Sequence, residues 1–266
     1  MTRKRKVFNL ILVTIVVGLL GVLRWSARRM VYHPSPDSGA PTPKGLEDVS
    51  FASEDGTKLH GWLCRTPGAK RAVIMMHGNA GCLEGRGSEV LDVAKAAGAH
   101  AFMFDYRGYG KSEGSPYEAG VAADARAALA ALVKETGVPR ARTVILGHSL
   151  GGAVAIDLAS GTPDAAGLVV LSSFTSIDDM ARHATGLPLG FMVPETWDSA
   201  TKIKKIACPK LIVHGDKDTL VPFALGYQLF TLAADPKRFV NVQGVAHDPL
   251  DTVLSEVGHF VAQCAP

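Results

Sequence analysis

The chain has 266 residues, 47% of them hydrophobic and 20% charged, with a formal net charge of +3. That is enough to bury a core and suits one ordinary globular domain. Much of the basic excess gathers at Arg3, Lys4, Arg5 and Lys6, and no concentrated basic stripe follows it, which argues against a nucleic-acid partner. Cys64, Cys82, Cys208 and Cys264 are scattered without a C-x-x-C pair. No H-E-x-x-H or H-x-x-E-H spacing occurs either, so no metal or redox centre is indicated.

In chain order, Val7 to Leu23 comes first. It carries no charge and reaches about 25 Å as a helix at ~1.5 Å per residue. The following RWSARRM has no small-x-small cleavage site, so residues 1–30 are expected to be an uncleaved single-pass membrane anchor. Four basic residues ahead of it favour a cytoplasmic N-terminus, with the domain outside the cytoplasm. Residues 31–45, rich in Pro, Gly and Ser, read as a linker, and residues 46–266 as the catalytic domain. LEDVSFAS and KLHGWLC, joined across Asp55-Gly56, read as a hairpin.

From there short apolar runs alternate with helical stretches. AVIMMHG precedes a helix near Glu84 to Ala97, and HAFMFDY precedes one from about Tyr117 to Thr136. TVILGHS leads directly into a helix starting near Leu150, and GLVVLSS, KLIVHGD and RFVNVQG follow. Strands apolar on both faces and alternating with helices imply a parallel sheet covered on both sides. The interval from Ser173 to Lys210, with GLPLGFMVPETW at its centre, is long for a plain connection and reads as an irregular lid over a site.

Gly147-His148-Ser149-Leu150-Gly151 fits G-x-S-x-G with a strand before it and a helix after it. A serine on so sharp a turn needs small neighbours, which Gly147, Gly151 and Gly152 supply. It also stands at a helix N-terminus, where free amides favour developing negative charge. A hydroxyl nucleophile needs a base, and the base an orienter. His247 lies just past the last strand and is the candidate base, whereas His259 falls on the terminal helix as an ordinary packed or solvated residue. Asp218 lies deep enough in HGDKDTLVP to face that histidine, and Asp216 is expected to hold the turn by a local backbone bond. The backbone N–H groups of Asn79 and Leu150 are the candidate oxyanion donors, with the His77 and Asn79 side chains bracing their loop.

HGNAG, DYRGYGKSEG, GHSLGG, HGDKDTLVP and AHDPLD, in that order, resemble the α/β-hydrolase superfamily. Within it the chain is most similar to membrane-anchored abhydrolase-domain and serine-aminopeptidase-like proteins, and MVYHPSP resembles the segment that enters their domain. The resemblance implies a mostly parallel, eight-stranded α/β fold with a short lid, and a triad of Ser149, Asp218 and His247. It implies structural roles for Asp105, Arg107 and Gly108. Relatives usually carry glycines before the histidine, where this chain has Val245-Ala246.

The expected activity is a serine hydrolase that cleaves a small-molecule or acylated ester, thioester or amide through an acyl-serine, with no cofactor and no metal. A carboxylesterase acting on short to medium acyl groups leads. A serine peptidase or acyl-protein thioesterase comes second, and a membrane-tethered binding protein on a hydrolase scaffold is the non-enzymatic alternative.

Overall fold

The computed structural model describes Thr14, Gly18, Ser26, residues 28–187, Gly190 and residues 193–264. Its main sheet has eight strands in the order β2-β3-β6-β4-β7-β8-β9-β10. These are β2 (Glu47–Ala52), β3 (Lys58–Cys64), β4 (Ala72–Met76), β6 (His100–Asp105), β7 (Thr143–His148), β8 (Gly167–Leu171), β9 (Lys210–Gly215) and β10 (Lys237–Val242). Strand β3 alone runs against its neighbours, as the return arm of the hairpin whose turn Gly56 makes at φ 84°. The other ladders are parallel, as expected of runs such as Ala72–Met76 and Gly167–Leu171, in which every residue is buried.

Helices cover both faces. On one lie α2 (Glu118–Thr136) and α3 (Leu150–Ser160), whose Val121, Ala125, Val154 and Ala155 share a core with Ile74 and Ile145. On the other lie α1 (Gly87–Ala97) and α6 (Leu250–Cys264), whose Val90, Val93, Val257 and Val261 pack with Val73 and Val144. The first helix starts at Gly87 rather than Glu84. Ahead of it, β5 (Ala80–Gly81) pairs in parallel with β1 (His33–Pro34). The longer of the remaining helices among the described residues are α4 (Ile177–Thr185), inside the interval read as irregular, and α5 (Phe223–Leu232). Pro188, Leu189, Phe191 and Met192 of that interval lie outside the described residues.

The membrane expectations need correction. Among the described residues, no helix is long and apolar enough to cross a membrane. This overturns the single-pass anchor and the localisation built on it. A run reaching about 25 Å falls short of a ~30 Å hydrocarbon core to begin with. Most of Val7–Leu23 lies outside the described residues.

Candidate active site

The loops after the carboxyl ends of the parallel strands meet at one place, the usual position for a site in an open α/β sheet. After β7 the chain turns straight into α3 with Ser149 at the cap, at φ 57° and ψ −120°. For a non-glycine residue this is a strained conformation, held only because its surroundings leave no alternative. The glycines around it are required by close approach. A Cβ on Gly147 would stand 2.0 Å from the Gly151 carbonyl oxygen, and one on Gly151 would stand 2.1 Å from that of Met76. The Ser149 N–H donates to Leu171 O at 2.9 Å, and Ser173 Oγ donates to Ser149 O at 2.8 Å.

Asp218 and His247 come together across the loops after β9 and β10. The His247 Nδ1–H donates to Asp218 Oδ2 at 2.8 Å. The other carboxylate oxygen accepts the Leu220 and Val221 N–H groups, each at 2.9 Å. Burial works to raise the Asp218 carboxyl, but hydrogen bonds from His214, His247 and Val221 outweigh it and hold the group well below the usual carboxylate range. Asp216 does bond to backbone, although not locally. It accepts the Gly244 N–H at 2.7 Å and so ties the turn ahead of His247 to the loop of Asp218. Gly215 makes room for the Val245-Ala246 stretch, since a Cβ there would stand 2.3 Å from both carbonyl oxygens. His259 is exposed on α6.

Two histidines missed by the sequence reading support this arrangement. His214 is fully buried at the end of β9, with Nε2 3.2 Å from Asp218 Oδ2 and 2.9 Å from Val221 O. Both neighbours accept, so Nε2 carries the proton. His148 Nε2 donates to the His247 carbonyl at 2.9 Å, and burial lowers the pKa of its ring. The only sequence signal for either is a polar ring at the end of an apolar strand.

The loop after β4 carries Asn79. His77 Nδ1 donates to Gly78 O at 2.7 Å and fixes the peptide plane that holds the Asn79 N–H. Burial pushes the His77 ring down to about 3, which keeps it neutral in this role. Asn79 O accepts from His33 N at 2.9 Å and from the Tyr109 hydroxyl at 2.8 Å. Leu150 is the first residue of α3, where N–H groups lack helical acceptors. Asn79, Ser149, Leu150 and His247 all line one cavity of about 350 Å³. The rest of its described lining is apolar, and no carboxylate is among it. Among the described residues, no cluster of His, Cys, Asp or Glu is suited to a metal ion.

A family model described as serine aminopeptidase, S33, matches residues 67–194. The Arabidopsis thaliana α/β-hydrolase domain-containing protein WAV2 is 35% identical over 91% of this chain and 87% of its own length. The chain belongs to the α/β-hydrolase family. An uncharacterized protein of Mycobacterium tuberculosis is 38% identical to this hydrolase, over 96% of the one and 94% of the other. Among solved structures, the Pyrococcus furiosus esterase Pf2001 superposes on it with a TM-score of 0.74. The superposition covers 89% of the hydrolase and 99% of the esterase, at 23% identity.

Proposed function

We propose that this hydrolase is a serine esterase that accepts short to medium acyl groups and works through a covalent acyl-Ser149 intermediate. The observation that carries the reading is one apolar cavity containing both the strained Ser149 and His247, whose Nδ1–H is held by Asp218. With Nδ1 committed to the carboxylate, His247 Nε2 keeps its lone pair and serves as the base. It takes the Ser149 hydroxyl proton while Oγ bonds to the acyl carbon. The resulting oxyanion receives the N–H groups of Asn79 and Leu150 at the positive end of α3. The C–O bond to the alcohol then breaks, and the leaving oxygen takes the proton from His247. Water repeats the sequence on the acyl-serine and releases the acid.

The esterase names of structural neighbours such as Pf2001 support this bond type. An aminopeptidase needs an anion to receive the substrate's free amine, and the described lining of the cavity offers no carboxylate. Its volume lies near the small end of ligand pockets, roughly 300–1,000 Å³, which favours a limited acyl group.

The test combines fluorophosphonate labelling with p-nitrophenyl butyrate hydrolysis in the parent and in Ser149→Ala. Both signals should vanish in the variant while its circular dichroism and melting remain those of a folded protein. Equal labelling of the two chains would remove Ser149 as nucleophile.

A further inference from the structure

The cavity over Ser149 is closed on one side by a part of the chain remote from the triad. Residues Arg28–Val31 are helical, and Met30 and Val31 line the cavity. To the same cavity α4 presents Ile177, Met180, Ala181 and Ala184, spaced at i, i+3, i+4 and i+7, so one apolar stripe of that helix lines the same space. None of the four is buried in the core. Val31, by contrast, is packed, while Met30 leaves 75% of its surface exposed at the edge of the cavity. Leu220, which also lines it, is 65% exposed. Exposed apolar side chains flanking a catalytic serine provide a path for an uncharged hydrocarbon and leave it nothing to hydrogen-bond.

The N-terminal turn is held in place by a buried carboxylate. Glu195, 2% exposed, accepts from Arg28 Nε at 2.8 Å and from the N–H of Glu118, the first residue of α2, at 2.5 Å. Trp197 Nε1 donates to the Tyr32 hydroxyl at 3.0 Å, and that hydroxyl in turn lies 3.4 Å from Glu195. Just beyond, His33 N donates to Asn79 O, so the same stretch of chain also holds the loop of the candidate oxyanion donor. The wall is therefore anchored at the turn's start and at its end, with Met30 between the two anchors.

Resting on the esterase reading, we propose that the N-terminal turn is a wall of the acyl site and that Met30 is a specificity-determining residue for the length of an uncharged, unbranched acyl chain. Between Met30 and the α4 stripe, each methylene of a bound chain leaves water, which accelerates attack roughly fourfold per carbon while space remains. Past that length the added carbons stay in water and the gain stops. Because Met30 is largely exposed, its replacement leaves the core untouched and the chain folded.

The experiment uses the full chain and a series of p-nitrophenyl alkylphosphonates from methyl to octyl. In each, the Ser149 oxygen bonds to phosphorus and p-nitrophenolate departs, so colour release gives the inactivation rate and mass spectrometry locates the adduct. In the parent the rate should climb with chain length and then level. Met30→Trp should bring the plateau to shorter chains and Met30→Ala should move it to longer ones, each read as the change in the ratio of the octyl rate to the methyl rate. Profiles in both variants that superimpose on the parent's, or a loss by the same factor at every length, would overturn the proposal while leaving the nucleophile in place. Absence of any adduct on Ser149 in the parent would overturn the nucleophile reading, and this inference with it.

Discussion

At Asp218 a single carboxylate oxygen serves two imidazoles, His247 at 2.8 Å and His214 at 3.2 Å. The second of these is not itself in the cavity's described lining and reaches it through the Asp218 carboxylate and through the carbonyl of Val221, 2.9 Å away. Replacing His214 with Leu removes a donor to a charged group, a loss of about 1.5–3 kcal/mol where such bonds are measured. Expressed as rate, this is about tenfold to a hundredfold in kcat with KM little changed. His214→Gln, which returns an N–H near the position of Nε2, should recover part of the loss. Steady-state kinetics on p-nitrophenyl butyrate decide it, and equal damage from Leu and Gln would reduce His214 to packing. The ring stands within KLIVHG, a run that reads only as a buried strand, and its polar partner arrives from a turn whose path the strand does not reveal. Ser149, Asp218 and His247 stand out in the sequence as candidates because each follows a predicted strand. His214 and His148 belong to the strand ends themselves, and alternation says nothing about which buried ring has a polar neighbour.

Among the elements, α4 departs most from the irregular stretch expected between Ser173 and Lys210. Its start and stop are nonetheless written locally. Ser176 Oγ accepts the Asp179 N–H at 3.0 Å as an N-cap, Asp178 and Asp179 occupy the first turn, and Gly186 closes the helix at φ 72°. Its stripe of Ile177, Met180, Ala181 and Ala184 has helical spacing, but over nine residues that signal is short and two of the four are alanines. With no residue fully buried and only Ile177 and Met180 packed partly against the core, α4 depends on its caps more than α3 does, whose residues are nearly all buried. Ser176→Ala should therefore release the helix locally by about 1 kcal/mol, or roughly fivefold in its opening equilibrium. Hydrogen exchange should show Met180 to Thr185 exchanging about that much faster, while amides of β4 and β7 remain unchanged. Uniform acceleration across the sheet would mean that α4 opens only with the whole fold.

At the scale of the whole molecule, the pattern of a hairpin followed by apolar runs alternating with helices was enough to anticipate the eight strands of the main sheet. It was not enough to anticipate β1 with β5, a parallel pair of two residues each whose partners, His33 and Ala80, are far apart in the chain. Pairing that short leaves no periodicity to read. Near it lies a group that should set the acid–base response of the entire domain. Asp105 ends β6, accepts the Leu83 N–H at 2.9 Å and lies 3.7 Å from His77 Nε2. Gly110 packs so closely on it that a Cβ would fall 2.1 Å from Asp105 Oδ2. Burial pushes this carboxyl up to about 7, against about 3.9 in an unfolded chain. A carboxyl with a raised folded pKa gives its full stabilisation below the unfolded value and loses it as pH rises through the folded one. The window therefore runs from about 4 to about 7. His77, lowered by burial, works in the opposite sense but is common to the parent and a variant at Asp105. Asp105→Asn cannot titrate, so the melting temperature of the parent minus that of the variant should shrink steadily as pH rises across this window. Paired thermal melts at several pH values measure the gap directly. A constant gap would mean that Asp105 keeps one protonation state throughout, and a widening gap would mean that its carboxylate is the stabilised form.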